Sequence, residues 1–149
     1  MKKLSEGQKA PDFFGKNQHG NQISLADLRG KKVVLYFYPK DSTPGCTAQA
    51  CNLTENIKDL RNNGYEVLGV SPDGEKSHLK FIEKYNLGFD LVVDEDKSIC
   101  MLYGVWGKKK FMGREYDGVH RTTFIIDEVG NIKKIITKVD TKNHSQQIL

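Results

Sequence analysis

Val33-Val34-Leu35-Tyr36-Phe37-Tyr38 is an unbroken apolar run of six residues, closed by Pro39. Its length and its β-branched and aromatic content fit a strand buried on both faces. Behind it, Cys46, Ala50, Leu53, Ile57 and Leu60 fall at i, i+4, i+7, i+11 and i+14, one stripe of a 3.6-residue period. Asn62-Asn63-Gly64 then closes the helix with residues that tolerate left-handed backbone. Tyr65 to Val70 is a second, mostly apolar strand. Strand, helix, strand with a crossover of this length is a βαβ unit. The two strands should be parallel and the connection right-handed.

The remaining segments extend this unit. A short helix is expected at Leu25 to Leu28. Glu75 to Tyr85 reads as a helix with Leu79, Ile82 and Tyr85 inward. Phe89 to Val93 is a third strand and Lys97 to Tyr103 a short helix. Thr122 to Ile126 and Ile132 to Ile136 form a hairpin around a Gly-containing loop. Lys142 to Leu149 is a candidate terminal helix that stops where its apolar face would begin. The expected fold is an α/β sandwich: a mostly parallel central sheet with one antiparallel hairpin and helices on both faces. That order fits a thioredoxin-like fold, and other small α/β folds as well. With no repeat, linker or low-complexity tract, residues 1–149 are expected to form a single domain.

Composition narrows the function classes. The chain of 149 residues is 38% apolar with a net charge of +4, mixed in sign. Nothing in that balance calls for a nucleic acid or a membrane as partner. The dense basic run Lys108-Lys109-Lys110 reads as a solvated loop. The opening Met1 to Lys9 carries two lysines and no apolar stretch after them, so no secretory signal is expected and a cytoplasmic setting follows. No long apolar edge demands a dimer, so a monomer is expected.

There are three cysteines, Cys46, Cys51 and Cys100. In a reducing compartment an odd set of thiols argues against a permanent disulfide and leaves at least one for chemistry. The histidines His19, His78, His120 and His144 are scattered singly, without metal-ligand spacing, so no metal is expected.

Cys46 is the informative thiol. Thr43 suits an N-cap and Pro44 the first helical position. Cys46 then lies in the first turn, among unpaired N–H groups and at the positive end of the helix dipole. Both favour the nucleophilic thiolate. The plain alternative is a small buried hydrophobe on the inner stripe. Cys51 lies about 140° around the same helix, with the two Cα atoms roughly 8.7 Å apart. A disulfide needs about 7 Å or less, so two helical residues at this spacing cannot bond until the helix opens. The Cys-x4-Cys spacing also differs from the Cys-x-x-Cys of thioredoxin-type dithiols.

Pro39, Thr43 and Cys46, with Cys51 five residues on, match the motif of a known family. The sequence resembles the peroxiredoxins, and among them the bacterioferritin-comigratory-protein or Q-type group. The likeness continues through Val67-Leu68-Gly69-Val70-Ser71, Asp94-Glu95-Asp96, Tyr103-Gly104-Val105-Trp106-Gly107 and Arg121-Thr122-Thr123-Phe124-Ile125-Ile126-Asp127. It spans the chain from about Leu4 onward.

The resemblance implies a thioredoxin-like fold and a thiol peroxidase. By that likeness Cys46 is the peroxidatic and Cys51 the resolving cysteine, joined in an intramolecular disulfide during turnover. Thr43 would hydrogen-bond the peroxide, Pro39 would shield the thiolate, and Arg121 would supply a fixed positive charge. Backbone N–H groups near Gly45 and Cys46 are suited to the developing oxyanion. A thioredoxin-like dithiol would recycle the enzyme, with no cofactor. Many relatives carry an acidic residue where Gln49 stands, so that carboxylate is absent here. Cys100 has no role by likeness and is expected in the core beside Ile99 and Leu102. Arg114, the rival to Arg121, is expected in a polar loop. Two other readings remain open: a protein disulfide oxidoreductase, and a non-enzymatic redox switch.

Overall fold

The apolar run and the helical stripe become the centre of the molecule. A computed structural model describes residues 3–149. The strands are β1 (Phe14–Lys16), β2 (Gln22–Ser24), β3 (Lys32–Phe37), β4 (Tyr65–Ser71), β5 (Asp90–Val93), β6 (Trp106–Phe111), β7 (Arg114–Val119), β8 (Thr122–Ile126) and β9 (Ile132–Ile136). The helices are α1 (Pro44–Glu55), α2 (Ile57–Asn62), α3 (Glu75–Tyr85), α4 (Ser98–Leu102) and α5 (His144–Ile148), with a 3-10 turn at Ala26–Leu28.

Seven strands form one sheet in the order β2-β1-β5-β4-β3-β8-β9. β3 pairs parallel with β4, and β4 with β5. The pairings β1–β2, β1–β5, β3–β8 and β8–β9 are antiparallel. The sheet is therefore mixed, and the expected parallel arrangement holds only for its three central strands. Two βαβ crossovers fix those three, whereas β1–β2 and β8–β9 are consecutive strands joined by turns that reverse the chain.

β3 has apolar neighbours on both faces, which explains its unbroken pattern. Val33, Leu35 and Phe37 pack with Leu68, Val70, Phe124 and Tyr103 on one side. Val34, Tyr36 and Tyr38 pack with Cys46, Ala50, Leu53 and Phe81 on the other.

The single helix expected from Cys46 to Leu60 is two. Asn56 leaves helical geometry at φ −107°, ψ 15°. Its side-chain amide donates to Asn52 O at 2.9 Å, competing with the helical ladder. The stripe survives the break, because Leu60 is still fully buried. Gly64, at φ +84°, makes the turn into β4.

α3 turns a different face inward than expected. His78 and Phe81 are fully buried, whereas Leu79, Ile82 and Tyr85 are half-buried. A buried histidine is invisible to an apolar count, and here its ring is hydrogen-bonded on both sides.

The run Lys108-Lys109-Lys110 is not a loop but the middle of β6, and Arg114 opens β7. The two strands form a separate hairpin, pairing Lys108 with Asp117 and Lys110 with Glu115. Its turn has Met112 at φ +53° and Gly113 at φ +78°, as a two-residue hairpin turn requires. Most of β6 and β7 stands off the core, so no apolar alternation marked them as strands. Cys100 is fully buried as expected, but Leu102 is exposed.

α5 docks despite its length. Ser145 N donates to Asn52 Oδ1 of α1 at 2.8 Å, and His144 and Ser145 are buried. Among the described residues no helix is long and apolar enough to cross a membrane.

Candidate active site

β3 and α1 meet at the carboxyl end of the sheet, where α/β folds present their ligand sites. Thr43 occupies the N-cap position with extended backbone, and Pro44 starts α1. The Thr43 hydroxyl does not cap the helix as its type suggests. It donates to Lys40 O at 2.8 Å instead. The first helical bond runs from Thr47 N to Thr43 O. The N–H groups of Gly45 and Cys46 therefore lack helical acceptors and face the opening of the helix. With its proton committed to Lys40 O, Thr43 Oγ1 can accept a hydrogen bond from an incoming O–H.

Cys46 follows in the first turn and is 1% exposed. Its sulfur receives a hydrogen bond from Arg121 Nη2 at 3.3 Å. Arg121 stands just before β8 and is half-buried. Its other terminal nitrogen, Nη1, donates to Gln49 Oε1 at 2.6 Å. A Cβ on Gly45 would lie 3.3 Å from Arg121 Nη2, so a side chain there would press on the guanidinium. The site thus joins an anion-favouring helix end, a nearly buried thiol and a fixed cation held by two partners.

The charges leave marks on their surroundings. Tyr36 is pushed well above its ordinary value, by burial first and then by the charge of Cys46. Lys109, in the middle of β6, is lowered by burial and then by Arg121. His144 is lowered chiefly by burial, with Arg121 adding to the effect.

The other residues named from sequence are placed as follows. Cys51 is half-buried on α1, and its thiol is raised by burial first and then by Glu55. Both Cys46 and Cys51 lie within the helical span of α1, and all three cysteines are free thiols. Pro39 is half-buried between β3 and the loop, without a hydrogen bond to the thiol. Cys100 lies on α4, and its thiol is pushed far up by burial and by Asp94. Arg114 is exposed on β7 and takes no part. A cleft of about 460 Å³ opens beside Arg121, against Tyr103, Val105 and Phe124, but Cys46 does not line it.

Sequence reasoning noted Gln49 only for the carboxylate it lacks and missed its contact with Arg121. The absent carboxylate is replaced by an amide oxygen that orients Arg121 without cancelling its charge. Gln49 lies one helical turn beyond Cys46, and that spacing was the available signal.

The AhpC/TSA family profile matches residues 6–135. The chain belongs to the AhpC/TSA family. A Haemophilus influenzae protein described as "Putative peroxiredoxin bcp" is 50% identical over 149 residues, covering 100% of this chain and 96% of that protein. "Peroxiredoxin Bcp" of Escherichia coli K12 is 45% identical over the same 149 residues, again 96% of that protein. A solved Xanthomonas campestris bacterioferritin comigratory protein, studied for alkyl peroxide reduction, superposes with a TM-score of 0.88 at 31% identity. It covers 97% of this chain and 94% of that one. In this AhpC/TSA chain the peroxiredoxin motif therefore sits on a thioredoxin-like framework, as the sequence led one to expect.

Proposed function

We propose that this chain is a thiol peroxidase that reduces hydrogen peroxide and organic hydroperoxides, working as a monomeric domain of residues 1–149 in a reducing cytoplasm. The observation that carries the proposal is the 3.3 Å hydrogen bond from Arg121 to the sulfur of Cys46 at the start of α1. A thiol held there, against a cation and free N–H groups, is built to react as an anion.

The Cys46 thiolate attacks one oxygen of the hydroperoxide. The S–O bond forms as the O–O bond breaks, and the leaving alkoxide or hydroxide takes a proton from water. The sulfur is oxidised to a sulfenic acid and the peroxide is reduced to an alcohol or water. Arg121 and the N–H groups of Gly45 and Cys46 stabilise charge developing on oxygen. Thr43 Oγ1 accepts from the peroxide O–H and aligns it. Pro39 keeps bulk water off the sulfur.

Cys51 then condenses with the sulfenic acid, releasing water and forming a disulfide. Two residues of one intact helix at this spacing are roughly 8.7 Å apart at Cα, so α1 must unwind first. A thioredoxin-like dithiol returns both sulfurs to thiols by exchange.

The test is peptide mass mapping after one equivalent of hydrogen peroxide. A Cys46–Cys51 linkage is expected. Oxidation confined to Cys100, or none at all, overturns the assignment. Sustained peroxide consumption with a dithiol supply separates an enzyme from a switch that oxidises once.

A further inference from the structure

The loop that carries Cys46 into α1 is anchored from outside α1. Asp41 is buried in this loop and makes three side-chain hydrogen bonds. Tyr38 Oη donates to Oδ1 at 2.6 Å, and Ser77 Oγ to Oδ2 at 2.8 Å. His78 Nδ1 lies 2.7 Å from Oδ2. The backbone N–H of Asp41 donates to Asp73 Oδ2 at 2.8 Å, and Ser71 Oγ donates to the same oxygen at 2.7 Å. The anchors come from the end of β3, the end of β4, the β4–α3 connection and α3.

His78 completes the set. It is fully buried, and its Nε2 lies 2.9 Å from Val92 O on β5. A carbonyl oxygen only accepts, so Nε2 carries a proton. Nδ1 faces a carboxylate, so a second proton lies on the Nδ1–Oδ2 line, whichever group owns it. The pair is a buried, fully satisfied linkage between loop, α3 and β5.

A second observation points the same way. Ser42, the next residue, has φ +64°, a left-handed conformation that a non-glycine residue rarely holds. Such backbone persists only where its surroundings over-determine it. Here they are the Asp41 anchors on one side and the Thr43–Lys40 bond on the other.

We propose that His78, acting through Asp41, is a positioning residue that holds the Asp41-to-Thr43 turn in place ahead of α1 when the helix opens around Cys51. The inference rests on the thiol-peroxidase reading. It adds that the Asp41-to-Thr43 turn keeps its place through each opening of the helix, ready to align peroxide when α1 reforms, because the side-chain anchors of Asp41 lie outside α1.

The test compares the rate of Cys46 oxidation by hydrogen peroxide with its alkylation by iodoacetamide. Peroxide needs the aligned Thr43, N–H groups and Arg121, whereas alkylation needs only the thiolate. In Asp41→Ala and His78→Gln the peroxide-to-iodoacetamide rate ratio should fall about 10- to 100-fold. The conservative Asp41→Asn should restore it, since its amide can donate to a neutral His78. The wild type should show a downfield imidazole proton by NMR that Asp41→Asn lacks. An unchanged ratio in folded Asp41→Ala or His78→Gln overturns the proposal. A second measurement needs no variant. With the disulfide formed by diamide, the Asp41 amide, which donates to Asp73, should stay protected from hydrogen exchange while the amides of α1 lose protection. Joint loss of protection overturns it. Failure of wild-type Cys46 to react with peroxide would defeat the peroxidase reading but leave the exchange result to decide the anchor.

Discussion

Gln49 Oε1 accepts a 2.6 Å hydrogen bond from Arg121 Nη1, and the other fork of the same guanidinium reaches the sulfur of Cys46 at 3.3 Å. Gln49 is fully buried, so this bond meets little competition from water. A neutral amide fixes the cation and leaves its full charge for the sulfur. Gln49→Ala removes the acceptor and should slow Cys46 oxidation by hydrogen peroxide about tenfold by stopped flow. Gln49→Glu retains an acceptor and should lose less. Equal rates for all three would show that Arg121 needs no orienting partner.

Arg121→Ala should reduce the same rate by about 100- to 1,000-fold, the usual effect of removing one oxyanion donor. Arg121→Lys should not restore it. An ammonium is a single point of charge and cannot serve Gln49 and Cys46 through a planar fork. Wild-type kinetics in Arg121→Lys would reduce the role of Arg121 to charge alone.

Cys46→Ser should abolish peroxide turnover. Cys51→Ser should keep the first oxidation and lose the intramolecular disulfide, read by mass of the intact chain and its peptides. Cys100 should not substitute for either. Burial and the neighbouring Asp94 hold its thiol protonated, and it lies in the cluster on the opposite face of the sheet from Cys46.

The Cys51 thiol is raised, by burial first and by the charge of Glu55 second. Its thiolate is therefore scarce at neutral pH, and its alkylation should keep accelerating above the ordinary thiol range. Glu55→Gln removes the smaller cause and should move that rise to lower pH. The comparison is made in a Cys46→Ser, Cys100→Ser background. A profile indifferent to Glu55 would refute the electrostatic part.

His144 pins α5 through Thr123, with Thr123 Oγ1 2.8 Å from its Nε2. Gln147 Oε1 can only accept, so His144 Nδ1, at 2.7 Å, carries the proton and Nε2 accepts from Thr123. Burial lowers the imidazole below its ordinary 6.5, so the unfolded chain binds more protons in mild acid. The stability it contributes is complete above about pH 6.5 and is lost as pH falls from there through the lowered folded value. α1 in turn caps α5, because Asn52 Oδ1 accepts from Ser145 N in the first turn of α5. The protection factors of amides in α5 and in α1 around Asn52 should therefore fall together as pH drops below about 6.5. In His144→Gln that acid-dependent loss of protection should vanish.

The sequence by itself determined what repeats over short distances. The β3–α1 junction follows from the apolar run Val33 to Tyr38 and the stripe beginning at Cys46, both set by local periodicity. The first-turn position of Cys46 follows from Thr43 and Pro44. Membership of the family followed from the spacing of Pro39, Thr43, Cys46 and Cys51. Tertiary structure alone decided which distant groups meet. Arg121 is 75 positions from Cys46, and His78 is 37 from Asp41. No periodicity encodes either meeting, because each depends on how β8 and α3 pack against the carboxyl end of the sheet. The β6–β7 hairpin went unread for the opposite reason. Most of its side chains face solvent, so hydrophobic burial left little mark on the residue order, and only backbone pairing across Met112–Gly113 defines it.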